Sequence, residues 1–179
     1  TKMVHAFFDP AQAAAFNALA AKKDSTFDVK YFDLHGLASV PRTLLAISGS
    51  KFTSTSPKDW ASEKANTPFG YMPLLTETSA DGKTTLQIAE SDAIERYLAR
   101  KFDFLGSDAF EEVLVNTFVS NNRALLSAML NKYFSVKDAE LKAASKELLI
   151  TNNIAPWIKH HEQHLIANGS NGHYIGNKV

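Results

Sequence analysis

The chain has 179 residues, long enough for one good-sized core or two small domains. Nineteen basic residues balance nineteen acidic ones, so no net field points to nucleic acid or an anionic membrane surface. Cysteine is absent, which excludes a disulfide framework, a cysteine nucleophile and any thiolate metal site. No apolar run approaches bilayer-spanning length, and no basic-then-apolar leader opens the sequence; no membrane partner and a cytoplasmic location are expected.

Asp9-Pro10 followed by Ala11 to Lys23 reads as a capped, alanine-rich helix with Phe7, Phe16 and Leu19 on its apolar side. A short strand is expected over Val29 to Phe32, and Leu34-His35-Gly36 turns the chain into a helix from about Ser39 to Ile47. Lys51 to Asn66 is polar and broken by Pro57, so it reads as loop with at most a short helix around Asp59 to Lys64. Met72 to Leu75 reads as a strand entered through a proline. Asp81-Gly82 is a hairpin turn, Thr84 to Ile88 is the return strand, and Ser91 caps a helix through Phe102. Beyond Leu105-Gly106-Ser107 the pattern is helical only, over Asp108 to Phe134 and Lys137 to Ala167, with an interruption near Asn152 to Pro156.

The residues narrow that order to a family. Thr67-Pro68-Phe69-Gly70-Tyr71-Met72-Pro73-Leu74-Leu75, then Asp81-Gly82-Lys83, then Glu90-Ser91-Asp92-Ala93-Ile94-Glu95-Arg96-Tyr97-Leu98-Ala99-Arg100-Lys101-Phe102 resembles the glutathione-site half of a glutathione S-transferase. Tyr31 to Gly36, with Arg42 beyond, is similar to the family's first strand and turn. Asp59-Trp60 with Lys64 four residues later is similar to the loop of its sigma class. Asn153 to Trp157 and Gly172 to Val179 resemble its helical domain, so the resemblance runs from Val29 to Val179. It implies an α/β plus all-α architecture: an N-terminal helical extension over 1–27, a thioredoxin-like glutathione-binding domain over 28–104, and a helical domain over 105–179 that is incomplete relative to the family.

Glutathione chemistry needs a thiolate, because a thiol with pKa near ~8.5 is mostly protonated at neutral pH. A hydroxyl donating to the sulfur favours the anion; at roughly 1.5–3 kcal/mol for a charged hydrogen bond it lowers the thiol pKa by about one to two units. The resemblance gives that role to Tyr31, which otherwise reads as a tyrosine ending a half-buried strand. It implies a cis peptide before Pro73, turning the backbone of Met72 outward to pair with the glutathione cysteine; the plain alternative is an edge-strand proline. Ser91 opens a helix whose free N–H groups suit the γ-glutamyl carboxylate, and Glu90 suits the ammonium. Trp60 and Lys64 are expected at the glycine end. Glutathione is thus the co-substrate, a small apolar electrophile the second substrate, and a homodimer or larger assembly the expected state.

Other signals are weaker. His160, His161 and His164 carry an i, i+4 pair, but no third ligand set is visible, so a solvated helix face is expected and no metal site. Asn168-Gly169-Ser170 matches a glycosylation sequon and reads as a turn. The sequence departs from the family at Leu37, where an arginine supports the thiolate, at Tyr71, where a glutamine or lysine contacts glutathione, and at Ser120, where an acid reaches the neighbouring subunit's site. The chain also stops at Val179, before the segment that opens the family's next helix. Two readings follow: a glutathione-dependent transferase or isomerase, and a non-catalytic structural or assembly protein of the same fold.

Overall fold

Alternating apolar residues build the sheet. In the computed structural model, which describes residues 2–5 and 10–177 and side chains from residue 12 onward, the elements of the first half are β1 (Lys2–His5), α1 (Pro10–Ala20), β2 (Thr26–Lys30), α2 (Ser39–Ile47), β3 (Lys51–Thr55), α3 (Trp60–Glu63), β4 (Leu74–Thr78), β5 (Thr84–Ala89) and α4 (Ser91–Lys101). The five strands lie in the order β1-β5-β4-β2-β3. β2 pairs parallel with β3 and antiparallel with β4, β4 pairs antiparallel with β5, and β1 lies parallel to β5. Phe27 and Val29 of β2 and Leu75 and Glu77 of β4 share one buried face, which packs with Leu45 of α2 and Ile94 and Leu98 of α4. Asp28 points the other way and accepts from the hydroxyls of Thr53 (2.6 Å) and Thr55 (2.8 Å).

Several expectations shift. The strand expected over Val29 to Phe32 lies at Thr26–Lys30, because Phe27 and Val29 supply its buried positions. Lys51–Thr55, read as loop, is an edge strand; its polar residues are mostly exposed, and only pairing with β2 makes it a strand. The helix over Ser39 to Ile47 has the expected bounds. The N-terminal region holds the expected helix but also β1, and β2 begins at Thr26, inside the 1–27 extension. Asp9 and Phe7 lie outside the described residues.

The second half contains α5 (Ala109–Met129), α6 (Ala139–Leu149) and α7 (Ala155–Ala167). Asp108 caps α5 by accepting from the N–H groups of Phe110 and Glu111, both at 2.9 Å, and Asp138 caps α6 by accepting from Leu141 at 2.9 Å. α5 runs on into a π-helical turn at Leu130–Phe134, and a second at Ile150–Ile154 joins α6 to α7. The interruption near Pro156 is therefore a widened turn: a proline cannot donate to the preceding turn, and the helix accommodates it by loosening there. By contacts the chain divides into two compact units, Thr1–Phe104 and Leu105–Val179.

Candidate functional site

The strand register brings the site residues together. Lys30 lies opposite Leu74, and Leu74 opposite Ala89, so Tyr31, Pro73 and Glu90 emerge side by side at one end of β2, β4 and β5. β3 ends at the same level, with Thr55 opposite Lys30, and launches the segment that carries Trp60 and Lys64. All seven expected site residues thus extend from one end of the sheet.

Tyr31 is held tightly. Its N–H donates to the Thr55 carbonyl at 2.9 Å and its ring packs edge-on against Phe32, whose ring in turn meets Trp60. Tyr31 and Met72 belong to the buried core, with Trp60 packed against it. The following turn closes over the ring: Gly36 takes φ +40°, and a Cβ there would fall 2.8 Å from the Tyr31 hydroxyl and 2.7 Å from Leu34 Cδ1. Arg42 of α2 secures this turn by donating to the Leu34 carbonyl at 2.7 Å. Leu37, in place of an arginine, packs against the core.

The α3 segment has its own frame. Asp59 caps α3 by accepting from the Ala61 N–H, and Glu63 accepts from the N–H groups of Lys58 (2.8 Å) and Asp59 (3.2 Å) while pairing with the Lys30 ammonium. Those contacts, the Lys30 ammonium foremost, lower the Glu63 carboxyl below its ordinary 4.5. Lys64 is exposed, with its stem over Gly70 and its ammonium 5.7 Å from the centre of the Tyr71 ring. This approach of Lys64 to Tyr71 has no signal in the sequence, since it depends on the turn between α3 and β4.

Pro73 follows a cis peptide and is fully buried, while Met72 is buried beside it. At α4 the expectation needs correction. The cap position is held by Glu90, at φ 69°, and Ser91 is the first helical residue. Glu90 makes no side-chain cap, unlike Asp59, Asp108 and Asp138 on their helices. The first turn of α4, at the level of Pro73, therefore takes no side-chain cap from Glu90.

The helical unit offers a different arrangement. A cavity of about 440 Å³ is bordered by Phe118, Asn121, Asn152, Trp157, His160 and His164. His161, expected on a solvated face, is buried: its Nδ1 lies 2.9 Å from the Tyr174 hydroxyl and its Nε2 2.9 Å from Asn121 Oδ1. The face of α7 that carries it packs on α5 and on the segment beyond α7, so its imidazole is tied by hydrogen bonds. Among the described residues no cluster of three or more His, Asp or Glu can hold a metal ion. Asn168 of the sequon donates to the carbonyls of His173 (2.9 Å) and Gly176 (2.7 Å), folding the turn after α7. Among the described residues no helix is long and apolar enough to cross a membrane.

The chain thus carries a thioredoxin-like unit, with Tyr31 and the cis Pro73 at one end of its sheet, followed in sequence by a helical unit. No protein-family model matches the chain. Among curated proteins it is 32% identical over 162 residues to probable glutathione S-transferase 7 of Caenorhabditis elegans, an alignment spanning 86% of this chain and 73% of that protein. Among solved structures, the sigma class glutathione S-transferase of Fasciola hepatica matches with a TM-score of 0.75 and 29% identity, over 88% of this chain and 74% of that one. Prostaglandin synthase D of Nilaparvata lugens matches with a TM-score of 0.71 and 27% identity, over 86% and 74%. The chain belongs to the glutathione S-transferase family.

Proposed function

We infer that this chain is a glutathione-dependent transferase with glutathione as its co-substrate. The observation that carries the site assignment is the convergence of Tyr31, Pro73 and Glu90 at one end of three paired strands, within a family defined by that chemistry. The Tyr31 hydroxyl donates to the glutathione sulfur and favours its thiolate. The backbone of Met72, ahead of the cis Pro73, pairs with the cysteine in strand fashion. The uncapped start of α4 at Ser91 takes the γ-glutamyl carboxylate, with Glu90 receiving the ammonium. Trp60 and Lys64 hold the glycine end, Lys64 by charge and Trp60 through its indole N–H. Residues 28–104 act as the glutathione-binding domain and 105–179 form the helical domain, with a small apolar electrophile as the second substrate.

The finer assignment is to the sigma class, supported by the match to a sigma class structure and by Asp59-Trp60 and Lys64. The match to a prostaglandin synthase keeps isomerisation open beside transfer. A homodimer and a cytoplasmic location complete the reading. Nothing in the comparisons favours the non-catalytic alternative.

Isothermal titration of the chain with glutathione is the primary test, with micromolar-to-millimolar binding expected and absence of heat overturning the reading. Tyr31→Phe is expected to leave affinity nearly intact and raise the bound thiol pKa by about one to two units, followed by thiolate absorbance. An unchanged titration removes Tyr31 from the mechanism. Ser91→Ala is expected to weaken binding itself.

A further inference from the structure

The family pattern begins at Val29, so β1 and α1 add a strand and a helix that the glutathione-site motifs do not contain. β1 runs along the outer edge of β5, with Lys2 opposite Thr84 and His5 opposite Gln87. On α1, Leu19 is buried in the core and the Phe16 ring stands edge-on to Tyr97 of α4 at 6.0 Å. α1 has no basic residue in its own last turn. Its terminal carbonyls are met from outside by Lys101, the last residue of α4, whose ammonium lies 3.0 Å from the Leu19 carbonyl and 3.3 Å from that of Ala20, and also donates to Lys22.

The same ammonium stands 2.8 Å from Glu77 Oε1 on β4, and the Tyr97 hydroxyl donates to the other carboxylate oxygen. The Lys101 and Glu77 side chains are 1% and 0% exposed. A pair so far from water holds only where other hydrogen bonds complete it, and here the α1 carbonyls and the Tyr97 hydroxyl do so. Lys101 therefore joins α1, β4 and α4 at a single point.

We propose that the N-terminal βα unit is a brace for the glutathione site, latched by Lys101 at the ends of β4 and α4 opposite to Met72 and Ser91. This rests on the glutathione reading of those residues. α4 is a rod of about 15 Å; Ser91 begins it, and Met72 lies two residues ahead of β4, the two elements that the latch ties together. Tying the far ends together limits how far β4 and α4 can splay about the sheet, and so limits drift in the spacing of their near ends. Sub-ångström placement of binding groups is what tight recognition requires. Lys101 is a positioning residue in this scheme.

The test uses the full chain carrying Lys101→Met, with hydrogen exchange to read docking and calorimetry to read glutathione binding. Exchange across residues 10–20 and 84–89 is expected to accelerate about tenfold or more. Glutathione Kd is expected to rise about threefold to tenfold. Phe52→Ala, at the other edge of the sheet, serves as the stability control, with Kd expected to stay within about twofold at a matched loss of melting temperature. Should Lys101→Met fail to fold, Phe16→Ala loosens α1 while keeping the Lys101–Glu77 pair, and the same two readouts apply. Fast exchange in α1 with unchanged Kd overturns the brace and leaves the glutathione reading standing. Absence of glutathione binding in the wild-type chain overturns both.

Discussion

The two units of the chain hold together by different physics. The sheet unit has a conventional apolar core in which Leu45, Leu75, Leu86, Ile94 and Leu98 are fully buried. In the helical unit the 21-residue α5 contains no buried residue, while α6 and α7 bury only Leu149 and His161. Phe110, Leu141, Leu148 and Ile166 on these helices are all more than 60% exposed, so they contribute little to folding. What joins α5 to α7 is a polar and aromatic cluster. His161 links Asn121 to Tyr174, Trp157 stacks on His161 at 3.8 Å, and Phe118 stacks on Tyr174 at 4.5 Å. The unit to which we assign the glutathione site is thus the one with the buried apolar core, which suits a site that aligns groups from several strands.

That contrast can be broken at graded cost. Glu77→Ala leaves the Lys101 ammonium buried without its counter-charge and should destabilise the sheet unit by about 3–5 kcal/mol in urea unfolding. A loss below about 1 kcal/mol would show that water already reaches the pair. Leu75→Ala should cost about 2–5 kcal/mol, whereas Leu148→Ala, 62% exposed, should stay within about 0.5 kcal/mol. Equal losses would erase the distinction between the units. Gly36→Ala combines a left-handed backbone with a Cβ pressed on the Tyr31 hydroxyl, at a cost of about 1–3 kcal/mol. It should also raise the bound thiol pKa, measured by the same absorbance titration as for Tyr31→Phe.

Acid separates the units further. Burial, then the neighbouring His164 and His160, holds the His161 imidazole below its ordinary 6.5. The unfolded chain then takes up the proton more readily, so the stabilisation is complete above 6.5 and declines as pH falls from there toward the folded value. Glu63 in the sheet unit is also lowered, from 4.5, and its contribution to the α3 segment is lost only as pH falls below that. Hydrogen exchange between neutral pH and pH near 4 should therefore show the α5–α7 contact loosening first and the α3 segment later and more weakly. The reverse order would count against the buried state of His161.

Local chemistry was legible in the sequence. Asp81-Gly82 makes its turn through contacts within a few residues: the Gly82 N–H donates to the Ser79 carbonyl at 2.8 Å and the Ser79 hydroxyl to Asp81 at 2.7 Å. Asp108 caps its helix by equally local bonds, and the Met72–Pro73 motif carried the family resemblance with it. The order of elements and the family followed from such features. β3 was not legible, because its Thr and Ser residues become a strand only by lying against β2. The cap of α4 falls at Glu90 and not, as the sequence suggests, at Ser91, because Glu90 holds the position with a left-handed φ and no side-chain hydrogen bond that local preference could reveal.

The sequence by itself pointed to the family and proposed the groups for glutathione, because turns, caps and motif spacing are written in adjacent residues. Only the tertiary structure decided that Tyr31, Pro73 and Glu90 share one end of the sheet, that Lys101 and Glu77 lie out of water, and that His161 is buried. Register and burial depend on partners tens of residues away, and a lysine, a glutamate or a histidine has the same local preferences whether or not such a partner exists.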